Sequence, residues 1–92
     1  MKKINISIAG ANGKMGKILT KKIIKDKRFT LFSLTDLDTT KKIEGVRVQK
    51  NSLEAFKKVD IIIDFSRPKS TIQVLRLATT LKKKNCNWND WI

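Results

Sequence analysis

The chain contains no histidine and only one cysteine in its 92 residues. No imidazole is therefore present to act as a general base or to ligate a metal, and Cys86 has no base to activate it. Neither catalytic residues nor a metal site are expected. A single cysteine also allows no internal disulfide, which suits a cytoplasmic protein better than a stapled secreted scaffold. Long apolar runs are missing too. The opening MKKINISIAG has the two lysines of a signal peptide, but its apolar stretch is short and is interrupted by Asn5 and Ser7. Nothing approaches the roughly 20 apolar residues of a membrane span, so no membrane partner is expected.

Arginine is scarce despite a formal net charge of +13: only Arg28, Arg47, Arg67 and Arg76 among 21 basic residues. No aromatic residues alternate with the lysines as stacking platforms, and no nucleic-acid-reading module is recognisable. The lysines are spread along the chain among isoleucines and asparagines, residue types with A/T-rich codons, so coding-DNA bias accounts for the excess. Nucleic acid is not expected as a partner, although a positive field attracts a phosphate-bearing cofactor. A hydrophobic content of 40% argues against disorder. No repeat or Pro/Gly-rich linker divides the chain, which is one small domain or part of a larger one.

Periodicity gives the order of elements. Lys3 to Ala9 alternates Ile4, Ile6 and Ile8 with polar residues and reads as a strand. Gly13 to about Lys25 reads as a helix with Met15, Ile18, Leu19, Ile23 and the stem of Lys22 on one face. Phe29 to Leu34 is a second strand, residues 36–44 are loop-like, and Val46 to Val48 form a short edge strand. Ser52 is placed to cap a short helix with Phe56 facing inward. Val59 to Phe65 is a continuous apolar run, as expected for a parallel strand buried on both faces. Pro68 then opens a helix, capped by Arg67 or Ser66, with Ile72, Leu75, Leu77 and Ala78 as its apolar side. Strands alternating with helices predict an α/β fold: a parallel sheet flanked by helices.

The first strand runs into Gly10-Ala11-Asn12-Gly13-Lys14-Met15-Gly16. A glycine turn between strand and helix brings backbone N–H groups to a pyrophosphate at the positive end of the helix dipole. Gly10 suits the tight turn, Asn12 tolerates positive φ, Gly13 leaves room for phosphates, and Gly16 allows close helix–strand packing. Asp36 follows Gly16 by 20 residues, where a dinucleotide fold places a carboxylate against the adenosine ribose. Asp38 is an equally good candidate on sequence. A tight turn without a ligand explains the same glycines, and a strand-ending turn explains the same acid.

SIAGANGKMGKIL resembles the nucleotide-binding start of the 4-hydroxy-tetrahydrodipicolinate (dihydrodipicolinate) reductase family, which reads G-A-x-G-[RK]-M-G. Asp60 to Pro68, DIIIDFSRP, is similar to that family's D-V-x-I-D-F-[ST]-x-P. The resemblance implies a Rossmann-like domain and NADH- or NADPH-dependent reduction of 4-hydroxy-tetrahydrodipicolinate in lysine biosynthesis through diaminopimelate. It implies cofactor contacts at Gly10, Ala11, Asn12, Gly13, Lys14 and Met15, with Asp36 as the ribose acid. Leu37 stands where many members carry an arginine for a 2′-phosphate, which tilts the expectation towards NADH, with Lys41 or Lys42 as substitute phosphate contacts. Arg67 is placed to line the cofactor cleft. The family's substrate domain, with its histidine acid, follows further along, and its homotetramer is not expected of this fragment.

The family continues with V-I-G-T-T-G-F where this chain has NCNWNDWI. Read from one base into the codon of Asn85, the tail can encode only Ile/Thr, Val/Ala, Ile/Thr, Gly, Met/Thr, Ile/Thr and Gly. That set contains I-V-I-G-T-T-G; its glycines arise because Trp88 and Trp91 each have a single codon. Lys82, Lys83 and Lys84 can be coded by a run of adenines in which a base is easily lost or gained. Residues 1–84 are therefore expected to be a partial dinucleotide-binding domain, truncated before the substrate domain. Residues 85–92 are expected to be an out-of-frame tail without evolved structure, and the fragment to be inactive and marginally stable. The competing reading is a small non-catalytic dinucleotide-binding or interaction module.

Overall fold

In a computed structural model, which describes residues 3–87, the strands gather into one sheet with helices on both faces. Chain order is β1 Ile4–Ala9, α1 Lys14–Lys25, β2 Phe29–Thr35, β3 Lys42–Ile43, β4 Val46–Gln49, α2 Leu53–Phe56, β5 Ile61–Asp64, α3 Pro68–Leu81 and β6 Lys84–Asn87. The sheet order is β3-β4-β2-β1-β5-β6. All neighbours pair in parallel except the β3–β4 hairpin, whose turn places Glu44 and Gly45 at φ of 51° and 79°.

Alternation along β1 divides the interior in two. Ile6 and Ile8 point to one face, where they are buried with Leu34, Val48 and Ile23 of α1. Ala9 belongs to the opposite face, with Ile62, Phe56 of α2, and Val74 and Ala78 of α3. The β1–β2 register shifts after Ile6, so that Ser7 lies opposite Ser33 while Phe32 bulges outward. The two serines hydrogen-bond to each other, and the Ser33 hydroxyl donates to the Ala55 carbonyl at 2.7 Å. Ser52 caps α2 as expected, its Oγ accepting from the Ala55 N–H at 3.1 Å, and Phe56 is fully buried.

Several expectations need correction. In α1 the buried residues are Gly16, Thr20 and Ile23, whereas Met15 and Ile18 are about half exposed. The close approach of Gly16 to the strand end rotates the contact stripe, and Thr20 satisfies its hydroxyl on the Gly16 carbonyl at 2.7 Å. In α3 the core residues are Val74 and Ala78, while Ile72 and Leu75 are exposed, because small side chains let the helix lie close to the sheet. β5 is not buried on both faces: Ile62 and Asp64 are buried, but Ile61 and Ile63 only partly. β3 was missed because a two-residue strand has no periodicity to read. Val46–Gln49 lies between β2 and β3 rather than at the edge.

β6 is a further difference. No strand was expected at residues 85–87, yet Lys84–Asn87 pair with β5 from Ile61↔Lys84 to Asp64↔Asn87. Strand pairing uses backbone N–H and C=O groups, so side chains without a strand pattern can still complete the ladder. The rest of the expected out-of-frame tail, residues 88–92, lies outside the described residues.

Candidate functional site

β1 and β5 end side by side, with Ala9 in register with Asp64, and each runs directly into the turn before a helix. Between these turns and the end of β2 lies a cleft of about 340 Å³, within the common range for ligand sites of roughly 300–1,000 Å³. Gly10, Asn12 and Gly13 form one wall, Asp36, Leu37 and Asp38 the second, and Phe65, Ser66, Arg67 and Ser70 the third.

The glycine turn is held by its own backbone. Thr35 offers its carbonyl to both the Gly10 and Ala11 N–H groups, at 2.8 and 3.1 Å. The Asn12 N–H donates to Asp36 Oδ2 at 2.9 Å, and the Gly13 N–H to the Gly10 carbonyl at 3.2 Å. The positive φ of the turn falls on Gly10, at 73°, and not on Asn12 as anticipated. Asn12 instead ties two walls together, its Nδ2 donating to the Asp38 carbonyl at 2.9 Å. A β-carbon on Gly10 would stand 2.5 Å from the Ser66 nitrogen, and one on Gly16 would stand 2.7 Å from Ala11 Cα. Both positions therefore require glycine for packing. A β-carbon on Gly13 would meet only the Gly10 carbonyl, at 3.5 Å.

With the N–H groups of residues 10–13 engaged, the donors left over belong to α1. Its N-cap, Gly13, has no side-chain cap, and the first bond behind it runs from the Lys17 N–H to the Gly13 carbonyl at 3.0 Å. The N–H groups of Lys14, Met15 and Gly16 precede that bond and find no acceptor among the described residues. Three donors and the positive end of a twelve-residue helix thus converge beside Gly13, a natural place for an anion. The Lys14 and Met15 side chains are exposed and do not line the cleft, and Ala11 is buried behind it. The contribution available from Lys14 and Met15 is that of their backbone.

Both acids stand at the second wall. Asp36 is half-buried, with Oδ2 on the Asn12 N–H and Oδ1 on the Leu37 N–H at 2.7 Å. Asp38 is exposed and accepts from the Thr40 hydroxyl at 2.6 Å and the Thr40 N–H at 2.9 Å. The hydroxyl bond, then the N–H bond and the nearby Lys41 charge, hold its carboxyl below the usual carboxylate range. Leu37 is exposed at the rim, and neither Lys41 nor Lys42 lines the cleft. Arg67 does line it and is exposed. Sequence reasoning missed Ser66 and Ser70 on the third wall. The signal for them was their place around Pro68, where a strand hands over to a helix at the same end of the sheet as the glycine turn. Among the described residues no acidic or sulfur cluster gathers to hold a metal, and no helix is long and apolar enough to cross a membrane.

A family model described as dihydrodipicolinate reductase, N-terminus, matches residues 4–86. A 4-hydroxy-tetrahydrodipicolinate reductase of Pelagibacter ubique is 44% identical over 85 residues, covering 91% of this chain and 33% of that protein. Another, from Buchnera aphidicola subsp. Cinara cedri, is 36% identical over 95 residues, covering 89% and 35% respectively. The chain thus spans about a third of the length of the curated relatives it matches. Among solved structures, a dipicolinate-bound dihydrodipicolinate reductase from Paenisporosarcina sp. TG-14 superposes with a TM-score of 0.74 at 18% identity. That superposition covers 94% of this chain and 37% of the other. A Rex-family repressor superposes with a TM-score of 0.75 at 23% identity, covering 94% and 45%. What these structures share with the chain is the Rossmann-like fold.

Proposed function

Since this chain belongs to the dihydrodipicolinate reductase family, we propose that it forms the front of a dinucleotide-binding domain and holds NADH or NADPH in the cleft at Gly10 and Asp36. The observation that carries this reading is the pairing, across one cleft, of an uncapped helix start with a half-buried carboxylate. The backbone N–H groups of Lys14 and Met15 hold the pyrophosphate, and Gly13, without a β-carbon, lets it approach. Gly10, Ala11 and Asn12 keep the turn in shape through their N–H bonds to Thr35 and Asp36 and the Gly13 N–H bond to the Gly10 carbonyl. Asp36 keeps a second lone pair on each oxygen for the ribose hydroxyls. A bound reduced nicotinamide supplies hydride.

Cofactor preference in this reading is for NADH. The Asp36 carboxylate disfavours a 2′-phosphate at the ribose, and Leu37 supplies no compensating cation at the rim. The whole enzyme reduces 4-hydroxy-tetrahydrodipicolinate to tetrahydrodipicolinate in the diaminopimelate route to lysine, in the cytoplasm. The 92 residues hold no histidine, so the proton donor that the family resemblance implies is not among them. Binding without turnover is expected of this chain alone, without membrane or nucleic-acid partners and without the family tetramer.

We also infer that residues 85–92 are read one base out of frame after Lys82, Lys83 and Lys84. The support is the codon ambiguity of the tail, which admits I-V-I-G-T-T-G, and the gene with its downstream DNA tests it. An in-frame continuation should lie one base away, and its absence rules the shift out. The binding reading is tested by titrating the chain with NADH and with duplex DNA at several salt concentrations. Saturable NADH binding supports it. DNA binding with a steep salt dependence and no response to NADH contradicts it.

A further inference from the structure

Asp64 is fully buried at the end of β5, in register with Ala9, and belongs to no ion pair among the described residues. Its Oδ1 accepts from the Ser66 N–H at 2.7 Å and from the Ser66 hydroxyl, while Oδ2 has no partner among the described residues. A buried carboxylate with one oxygen unmet costs stability, which stability alone does not explain. The Ser66 hydroxyl also lies 3.3 Å from the Thr71 hydroxyl, which in turn donates to the Ser66 carbonyl at 3.3 Å. Asp64 thus fixes both the backbone and the side chain of Ser66 against the first turn of α3.

Ser66 is the wall on which the glycine turn closes. Its nitrogen and Cα stand 2.5 and 2.8 Å from where a Gly10 β-carbon would be. The Gly10 carbonyl in turn receives the Gly13 N–H, and it lies 2.7 Å from the place of a Gly16 β-carbon. Contact therefore runs without a gap from Asp64 through Ser66 and Gly10 to the start of α1.

We propose that Asp64 is a positioning residue for the dinucleotide site. Through Ser66 it sets the place of Gly10, and so the spacing between the start of α1 and the start of α3 across the cleft. The proposal rests on the reading of that cleft as a dinucleotide site. The carboxylate accepts both Ser66 donors on one oxygen and, unlike an amide, brings no N–H of its own into the buried turn.

Ser66→Ala removes one bond and keeps the carboxylate, Ser66→Thr restores the hydroxyl, and Asp64→Asn changes the acceptor. For each, three measurements are made on the full 92-residue chain: the NADH dissociation constant, the urea unfolding midpoint, and amide hydrogen exchange of the unliganded protein. Positioning predicts faster exchange at Gly10 and Ala11 in Ser66→Ala and a dissociation constant raised about fivefold or more, since small misplacements are felt strongly in a preorganised site. Ser66→Thr should recover most of both. A lowered unfolding midpoint with unchanged NADH affinity and exchange changes confined to residues 64–66 overturns the proposal. Should Asp64→Asn fail to fold, the Ser66 pair decides. If the unsubstituted chain binds no NADH, the reading of the cleft fails. The exchange measurements then still decide the coupling: faster exchange at Gly10 supports it, and unchanged exchange there overturns it.

Discussion

The carboxylate of Asp36 accepts the backbone N–H of Asn12 at 2.9 Å, so the acid just after β2 also holds the turn just after β1. Its other oxygen accepts the Leu37 N–H at 2.7 Å. One side chain therefore shapes the glycine turn and faces the cleft. Asp36→Ala should lower unfolding stability by about 1–3 kcal/mol, because two backbone donors lose their acceptor. It should also weaken NADH binding by roughly tenfold or more, as expected for a lost charge-assisted hydrogen bond. Urea unfolding and NADH titration on the same preparation separate the two effects, and an unchanged affinity would remove Asp36 from the site.

The glycines should divide by role. A methyl group on Gly10 meets the Ser66 backbone at 2.5 Å in addition to a φ of 73°, and one on Gly16 meets Gly10 and Ala11 at 2.7 Å. Either substitution by alanine should cost about 2 kcal/mol or more, since backbone must move. Gly13→Ala meets nothing closer than 3.5 Å and should change stability by less than about 1 kcal/mol. Its methyl group stands at the helix start, so NADH affinity should fall while the unfolding midpoint holds. Equal unfolding midpoints for all three variants would contradict this division.

In the proposed reading cofactor preference turns on Leu37, exposed at the cleft rim beside Asp36. Leu37→Arg supplies a planar cation suited to a 2′-phosphate and should shift the ratio of NADPH to NADH affinity by about tenfold towards NADPH. Competition between the two cofactors gives the ratio directly. An unaltered ratio would mean that the adenosine ribose lies elsewhere.

Acid stability should depend on Asp26. Hydrogen bonds from the Arg28 side chain, then from its backbone N–H, bring the Asp26 carboxyl from its ordinary 3.8 down to about 2. A carboxyl lowered in the folded state contributes stability that is fully present above its unfolded value. That contribution is lost as pH falls through the folded value. The stability difference between the unsubstituted chain and Asp26→Asn should therefore be constant above about pH 4 and shrink towards pH 2. It should also shrink with added salt, because Arg28 is exposed. Unfolding midpoints across that range provide the check, and a difference that grows on acidification counts against the assignment.

What the sequence made legible was whatever repeats or turns sharply. The isoleucines of β1, the Gly10 turn, the Ser52 cap and Pro68 each leave a local mark, and the structure has elements at all of them. Helix faces were less legible. Gly16, Ile23 and Ala78 pack as expected, but Thr20 and Val74 are buried where no apolar stripe marked them, while Met15, Ile18, Ile72 and Leu75 are exposed. β3 and β6 escaped notice because pairing of a few residues depends on a neighbouring edge and not on their own side chains. In the site, the spacing of Gly10, Gly13 and Asp36 was readable. The pairing of Asn12 with Asp36, and the contact of Gly10 with Ser66, join segments remote in sequence and come only from the topology of the sheet.

The central claim is that the uncapped start of α1 receives the pyrophosphate of a dinucleotide. It is tested most directly by amide chemical shifts of the labelled chain during titration with NADH. Saturable shifts largest at Gly13, Lys14 and Met15, with Asp36 and Leu37 responding across the cleft, are expected. Shifts spread over the lysine-bearing surface that vanish with added salt, or no shift at Lys14 and Met15 at saturation, would contradict it.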